Sequence, residues 1–239
     1  KESSFGRFEQ NIYALSQGKI MRHSPDADPT QTNTIRTKTI QNNKGLYVWK
    51  ENHKYVYDKE LYELVDDAPE KRLASFDFPI DGIIANDKSI FLSLNNSGIA
   101  HIDRIKNTIT DYRKNRLLSR KLPMGAASLF LDGETIWLGS EESGLYEVDV
   151  SNPENPRLIT RHTTIKSNPK SFSSNSVSCI IKHKEKIFIG TNGDGVFVYE
   201  KTGDFDKRTI NDGLPSNNII SVAGATDTTI WVLTNGGLV

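Results

Sequence analysis

The stretch IFIGTNGDGVFVY, residues 187–199, contains the pattern that sets the architecture of the whole chain. An isoleucine–aromatic pair opens a short apolar run, a turn of small polar residues follows, and a glycine leads into a second apolar run. The pattern occurs four times, with its aromatic residue at Phe91, Trp137, Phe188 and Trp231. These aromatic residues are 46, 51 and 43 residues apart, and the glycine follows 7, 7, 7 and 6 residues later. One hairpin in each period of about 40–50 residues is typical of β-propeller blades.

Each period can be divided into four short strands. Around Phe188 the pattern predicts strands over Ser176–Lys182, Lys186–Gly190, Gly195–Glu200 and Phe205–Ile210. No segment combines a 3.6-residue apolar period with capping residues, so very little helix is expected. We therefore predict an all-β protein, a β-propeller of four-stranded antiparallel blades over residues 1–239. The predicted blades cover approximately residues 1–42 (partial), 43–78, 79–122, 123–170, 171–212 and 213–239 (partial).

The second strand of each unit is apolar at successive positions, which predicts that both of its faces are covered. In a propeller the covering surfaces are neighbouring blades, and the aromatic residue fills the wedge between them. Small residues near the end of this strand, Ser93, Gly139 and Gly190, suit close packing at that point. The chain begins without Met and ends within a repeat, so we interpret it as an incomplete fragment of a larger propeller.

Composition excludes several classes of protein. Thirty basic and thirty acidic side chains cancel, which removes the electrostatic signature of a nucleic-acid binder. The longest apolar stretches are about six residues, against the ~20 that a membrane-spanning helix needs. A single cysteine, Cys179, excludes an internal disulfide and a multi-cysteine metal site. Its apolar surroundings in the sequence favour a small core residue over a reactive thiol.

Two long stretches resemble two-component-regulator propeller repeats. One joins residues 168–180 (NPKSFSSNSVSCI) to residues 187–199, and the other joins residues 212–220 (DGLPSNNII) to residues 230–238 (IWVLTNGGL). The resemblance is closest over residues 123–239 and extends over residues 77–122. The chain departs from the family pattern where Leu233 replaces a glycine and where Phe91 and Phe188 replace tryptophan.

The resemblance implies a function in signalling. Such repeats form the sensor propellers of membrane hybrid histidine kinases, typical of Bacteroidetes, which lie outside the inner membrane and respond to polysaccharide breakdown products. It therefore implies a periplasmic sensor with an oligosaccharide-like ligand and a kinase module in the same parent chain. A homodimer is also expected. We expect no binding of nucleic acid, no cofactor and no catalysis by this segment.

Candidate ligand-binding residues lie in the turns between the second and third strands and in the links between blades. In a four-stranded blade these segments emerge on the same face, and loops on a rigid scaffold are common binding sites. Their Asn, Ser, Asp, Glu and Arg side chains suit a polyhydroxylated ligand, although the same residue types are the usual turn formers. The candidates are Asn95, Asn96, Glu141, Glu142, Arg161, His162, Asn192, Asp194 and Asn235.

The sequence leaves other functions open. The five histidines show no metal-ligand spacing, and no catalytic or phosphate-binding motif is present, so no metal or catalytic residue is assigned. The main alternative to a ligand sensor is a protein-interaction propeller that positions partners without a small ligand. A hydrolase or lyase is a third hypothesis, but it would need an acid pair or a histidine constellation that the repeats lack.

Overall fold

A computed structural model of the chain describes residues 4–8, 11–16, 19–23, 33–36, 45–50, 53–65, 69–116, 118–200, 203–224 and 229–239. Over these residues the protein is all-β, with 23 strands and two 3-10 helices, Tyr112–Lys114 and Ile210–Asp212. No helix in these ranges has the length and apolar character needed to cross a membrane.

The strands form six sheets, each ordered as the strands follow in the sequence. Sheet 1 contains β1 (Ser4–Phe8), β2 (Asn11–Ser16), β3 (Lys19–His23) and β4 (Asn33–Arg36). Sheet 2 contains β5 (Gly45–Lys50), β6 (His53–Tyr57), β7 (Glu60–Val65) and β8 (Lys71–Ser75). Sheet 3 contains β9 (Ile80–Ala85), β10 (Ser89–Leu94), β11 (Gly98–Asp103) and β12 (Thr108–Asp111).

The remaining sheets have the same plan, and their neighbouring strands run antiparallel. Sheet 4 contains β13 (Ser128–Asp132), β14 (Thr135–Gly139), β15 (Leu145–Asp149) and β16 (Arg157–His162). Sheet 5 contains β17 (Val177–His183), β18 (Lys186–Thr191), β19 (Val196–Tyr199) and β20 (Phe205–Arg208). Sheet 6 contains β21 (Ile219–Gly224), β22 (Ile230–Thr234) and β23 (Gly237–Leu238). Five sheets have four strands and sheet 6 has three; antiparallel sheets of this kind are β-propeller blades, and the predicted fold class is confirmed.

The chain divides into two compact units. The first unit comprises residues 1–95 and 100–110, with sheets 1 and 2 and most of sheet 3. The second comprises residues 96–99 and 111–239, with sheets 4, 5 and 6. In sheets 3 and 4 the second strand is the most buried, as the sequence predicts; in β10 all six residues are buried.

In the second unit the aromatic residues of the second strands lie between sheets. Trp137 of β14 is 2% exposed and packs in one core cluster with residues of sheet 5, including Ile187 and Phe197. Its ring lies 5.3 Å from that of Tyr199 on β19. Phe188 of β18 likewise packs against Ile219, Val222 and Val232 of sheet 6. The predicted aromatic wedge is therefore confirmed at both positions, and it supplies much of the burial between successive sheets.

Glycines at the ends of these strands bring the next sheet close. A Cβ atom at Gly139 would overlap the side chain of Val177, the first residue of β17. A Cβ atom at Gly190 would meet the Sγ atom of Cys179 and the side chain of Ile219, the first residue of β21. The missing side chain thus makes room for the first strand of the following sheet, since close-packed interiors leave no space to spare.

In sheets 5 and 6 the structure differs from the sequence-based prediction at the end of β20 and at Trp231. The fourth strand of sheet 5 ends at Arg208, two residues early, because Thr209 and Asp212 cap a 3-10 helix. The Asp212 carboxylate accepts from the Thr209 N–H at 2.9 Å, in a reciprocal capping box. Trp231 of β22 is 50% exposed, because no described strand covers that face of sheet 6. Its predicted wedge role is therefore not seen here.

The glycine that ends each turn between the second and third strands takes the same backbone conformation. Gly98, Gly144 and Gly195 have φ angles of 85°, 84° and 83°. In this left-handed region a glycine costs little, whereas other residues are strained. Each glycine N–H donates to a carbonyl in the following link: Gly98 to Met124, Gly144 to Asn175 at 2.9 Å, and Gly195 to Asn217 at 3.0 Å. We call these three hydrogen bonds the glycine latches; all lie within the second unit.

A carboxylate connects sheets 2 and 3 in the first unit. Glu63 Oε1 accepts from the Tyr55 hydroxyl at 3.1 Å and from Arg104 Nη2 at 2.9 Å, and His53 Nδ1 lies 3.4 Å away. Arg104 also donates to the Asn86 carbonyl at 3.0 Å. Burial acts to raise the pKa of Glu63, but the bonds from Arg104 and Tyr55 outweigh it and lower the pKa below its ordinary value. Glu63 is therefore ionised at neutral pH.

We expect Gly195→Ala to destabilise the protein far more than Gly203→Ala. Both glycines have positive φ, so either alanine carries a backbone cost of about 1–2 kcal/mol. A Cβ atom at Gly195 would in addition overlap the Arg208 carbonyl, whereas no atom lies within 4 Å of a Cβ at Gly203. Denaturant titration of both variants measures the difference, and equal free energies of unfolding would show that the latch position is not sterically special.

Glu63→Gln should lower the free energy of unfolding by about 2 kcal/mol at pH 7, because bonds to a charged acceptor are lost. The folded-state pKa of Glu63 is lowered, so its contribution is present above the unfolded-state pKa and disappears as pH falls through the folded-state pKa. The gap between wild type and variant should therefore shrink as pH falls below about 4.5. Denaturant titration at pH 7 and below pH ~4.5 checks this, with the exposed Glu185→Gln as control. A difference in free energy of unfolding that did not change with pH would contradict it.

Candidate functional site

The turn between β14 and β15 is built on a buried serine. The Ser140 hydroxyl oxygen accepts from the N–H groups of Glu142 and Ser143 at 3.3 and 3.2 Å and from the Ser143 hydroxyl at 2.9 Å. Ser140 is 6% exposed, whereas Glu141 and Glu142 are exposed. The turn thus has a fixed backbone that presents two carboxylates to solvent.

Two backbone hydrogen bonds join the link before β17 to this turn. The Gly144 N–H donates to the Asn175 carbonyl at 2.9 Å, and the Val177 N–H donates to the Ser140 carbonyl at 2.8 Å. Asn175 is exposed between these two anchors. The backbone of Asn175 is consequently held next to the turn that carries Glu141 and Glu142.

The turn between β18 and β19 continues the same row. The buried Thr191 hydroxyl donates to the Gly195 carbonyl at 2.7 Å and closes the turn. On one side, the Asn192 side-chain amide donates to the Ser176 hydroxyl at 3.1 Å, and its N–H donates to the Ser176 carbonyl. On the other side, the Gly193 N–H donates to the Asn217 carbonyl at 3.1 Å. The turn therefore bridges the links that precede β17 and β21.

The turn between β22 and β23 completes the row. The Asn235 N–H donates to the Asn218 carbonyl at 3.0 Å, and Asn218 also forms an isolated β-bridge with Asn192. We call the exposed residues Asn175, Asn192, Asn218 and Asn235 the amide ridge. A carboxamide carries two hydrogen-bond donors and an acceptor, and at Asn192 one of the donors is used on the Ser176 hydroxyl.

Charged candidates flank the amide ridge. Asp194 lies 3.2 Å from Lys207 Nζ in an ion pair. Arg161 Nε donates to the Ser143 carbonyl at 3.0 Å, and its guanidinium lies 5.3 Å from the centroid of the Tyr146 ring. The structure thus places Arg161 beside the turn that carries Glu141 and Glu142.

His162 has a different environment from the one that the sequence suggested. It is the last residue of β16 rather than part of a loop, and its side chain is 12% exposed. Its ring stacks on Trp137 at 5.5 Å and contacts Tyr199 and Phe205 edge-on. Nε2 lies 3.3 Å from the Glu147 carboxylate. The structure therefore shows His162 in the aromatic packing beneath the turns.

Asn95 and Asn96 form the equivalent turn between β10 and β11. Both are exposed, and Asn96 has a positive φ of 45°. The Asn95 N–H donates to the Pro79 carbonyl at 2.8 Å within the first unit. The amide ridge belongs to the second unit, whereas Asn95 belongs to the first.

Sequence reasoning named the links only as ranges and missed the individual residues Asn175, Ser176, Asn217 and Asn218. The signal was present, because a Ser-Asn pair precedes the first strand in both SSNSV (173–177) and PSNNI (215–219). It also missed the buried hydroxyls that fix the turns, Ser140, Thr191 and Thr234. These occupy the same position in three successive repeats.

Across the part of the chain that the structure describes, no group of three His, Cys, Asp or Glu side chains is placed to hold a metal ion. Burial, followed by the neighbouring Glu147 carboxylate, raises the pKa of Tyr199 beneath the turns, so this hydroxyl remains neutral.

Comparison with known proteins places the fold but not the family. No protein-family model matches the sequence, and no curated protein matches it. The structure is similar to the computationally designed Ika8 protein, with a TM-score of 0.67 and 11% identity over 98% of this chain and 69% of that one. It is also similar to YCF48 bound to D1 peptide, with a TM-score of 0.63 and 8% identity over 98% of this chain and 76% of that one.

A third similar structure is the extracellular domain of the hybrid two-component system BT4673 from B. thetaiotaomicron. The TM-score is 0.56 and the identity 11%, over 98% of this chain. The chain spans 39% of the length of that domain. At such low identity these likenesses establish the propeller fold alone and assign no ligand.

His162→Ala should lower stability without affecting the conformation of the exposed turns. The substitution removes a stacked ring from a closed aromatic cluster, and we expect a loss of about 2–3 kcal/mol in the free energy of unfolding. Arg161→Ala, at an exposed neighbouring position, should cost about 0.5 kcal/mol or less. Denaturant titration distinguishes the two; a stability loss for His162→Ala no larger than for Arg161→Ala would contradict its packing role.

Proposed function

We propose that this protein is the ligand-sensing propeller of a hybrid two-component signalling protein and that it binds a carbohydrate at the amide ridge. The ligand signal would pass to a histidine kinase module of the same parent chain. In this proposal the segment itself is not an enzyme, and it resides outside the inner membrane, in the periplasm.

The continuity of the amide ridge is the observation that carries the proposal. The backbones of Asn192 and Asn235 are both joined to that of Asn218, and Asn192 also bonds to Ser176, the residue after Asn175. Carbohydrates present many hydroxyl groups, each of which both donates and accepts, and carboxamides match that pattern. Because buried hydroxyls and glycine latches already fix the backbone, a ligand would find these groups preorganised, which reduces the entropic cost of binding.

The signalling part of the proposal is supported by two kinds of likeness. The sequence resembles two-component-regulator propeller repeats over residues 123–239, and the fold is similar to the extracellular domain of a hybrid two-component system. The periplasmic location rests on the same likenesses.

The test is isothermal titration of the full chain with size-fractionated oligosaccharide pools. We expect one or more pools to bind, and the double variant Asn192→Ala/Asn218→Ala to bind about tenfold more weakly, since two hydrogen-bonding side chains are lost. Asn155→Ala, an exposed asparagine in the turn between β15 and β16, is the matched control and should bind like wild type. Failure of every pool to bind, or equal affinities of all variants, would contradict the proposal.

A protein-interaction propeller is the second candidate. Sheet 6 exposes Trp231, Leu233 and Leu238, and large exposed apolar residues that cluster mark interaction surfaces. The similar propeller protein YCF48 was solved with a bound peptide. If Trp231→Ser abolished capture of one specific protein partner while no oligosaccharide bound, this second function would replace the first.

A further inference from the structure

The first unit contains an open cavity of about 160 Å³ that the amide ridge does not include. Four charged side chains line it: Glu63 of β7, Lys71 of β8, Asp87 after β9, and Arg104 after β11. Leu73 and Ile102 supply an apolar wall, and Asn107 lies at the side. If one water in the liquid takes about 30 Å³, the cavity has room for about five waters or one small organic molecule.

Two carboxylates form the negative side of the cavity. All three groups around Glu63, namely Tyr55, His53 and Arg104, converge on Oε1, so Oε2 takes part in none of these contacts. The carboxylate is thereby held in one orientation with its second oxygen available. Asp87 lies 2.8 Å from Lys50 Nζ, and the hydrogen bond from Lys50 lowers its pKa. Both carboxylates are ionised at neutral pH.

Lys71 forms the positive side. Its Nζ lies 3.4 Å from Asn107 Oδ1, a neutral acceptor, and Lys71 is exposed on β8. The charge of Arg104 is instead directed to Glu63 and to the carbonyls of Asn86 and Asp87. Lys71 is therefore the cation in the lining that can meet a ligand carboxylate without breaking an ion pair with a lining carboxylate.

The charge balance of the lining selects the class of ligand. Two acidic and two basic side chains line the cavity, so a ligand with no net charge leaves the balance of the lining unchanged. In the described part of the chain, no group of three His, Cys, Asp or Glu side chains is placed to hold a metal ion. A small molecule with one cationic end, one anionic end and a short apolar side chain matches the lining: the cationic end can meet Glu63 Oε2 and Asp87 while their ion pairs with Arg104 and Lys50 remain, and the anionic end can meet Lys71.

We propose that this cavity binds a small free α-amino acid, with its ammonium group at Glu63 and Asp87, its carboxylate at Lys71, and its side chain against Leu73 and Ile102.

The test is isothermal titration of the full chain with glycine, L-alanine, L-serine and L-valine. L-Alaninamide and N-acetyl-L-alanine serve as matched probes that each lack one of the two charges. At least one of the four amino acids should bind, and both probes should bind at least about tenfold more weakly than L-alanine, because each loses a charge-assisted hydrogen bond.

Variants assign the two ends of the ligand. Lys71→Gln should weaken binding of L-alanine about tenfold and change binding of L-alaninamide little, whereas Asp87→Asn should weaken binding of both. Lys59→Gln, an exposed lysine on the same unit outside the cavity, should bind like wild type. No binding by any of the four amino acids, equal binding of L-alanine and its probes, or an unchanged affinity of Lys71→Gln would each overturn the proposal.

Discussion

A glycine N–H in the left-handed conformation, donating to the carbonyl of the following link, is the interaction on which the second unit depends. Gly144 and Gly195 repeat it with φ angles of 84° and 83°. Only glycine takes this conformation at little cost, and at Gly195 a side chain would in addition overlap the Arg208 carbonyl. The bond fixes where the next link runs, and so where the first strand of the next sheet begins.

The glycine latch affects both the packing between sheets and the exposed turns. Between the sheets, Val177 and Ile219 occupy the space beside Gly139 and Gly190. Trp137 and Phe188 pack in the same interfaces. At the surface, the same links carry Asn175 and Asn218, two of the exposed asparagines of the amide ridge. The glycine latch therefore contributes both to the apolar interface between sheets and to the polar row of turns. Both depend on how closely the latch holds the turn to the following link.

The amide ridge could be predicted in part from the sequence, whereas the charged cavity of the first unit could not. Asn192 and Asn235 could be selected as turn residues from the repeat alone, since Asn favours tight turns. Glu63, Lys71, Asp87 and Arg104 belong to two different sheets and have no common spacing, so no sequence pattern joins them. His162 shows the opposite case: it reads as a polar residue near a loop, but the rings of Trp137, Tyr199 and Phe205 enclose it.

The order of residues along the chain is enough to predict the strand pattern, the all-β class and the burial of β10 and β14, because apolar periodicity and turn glycines act over a few residues at a time. It also located the turns that carry Asn192 and Asn235. The contacts of Asn218 and Ser176 with those turns could be seen only in the folded protein. The same is true of the half-exposed Trp231 and of the four charged side chains that line one cavity. Such contacts link residues from different repeats, and their geometry depends on how sheets pack rather than on any local preference of the chain.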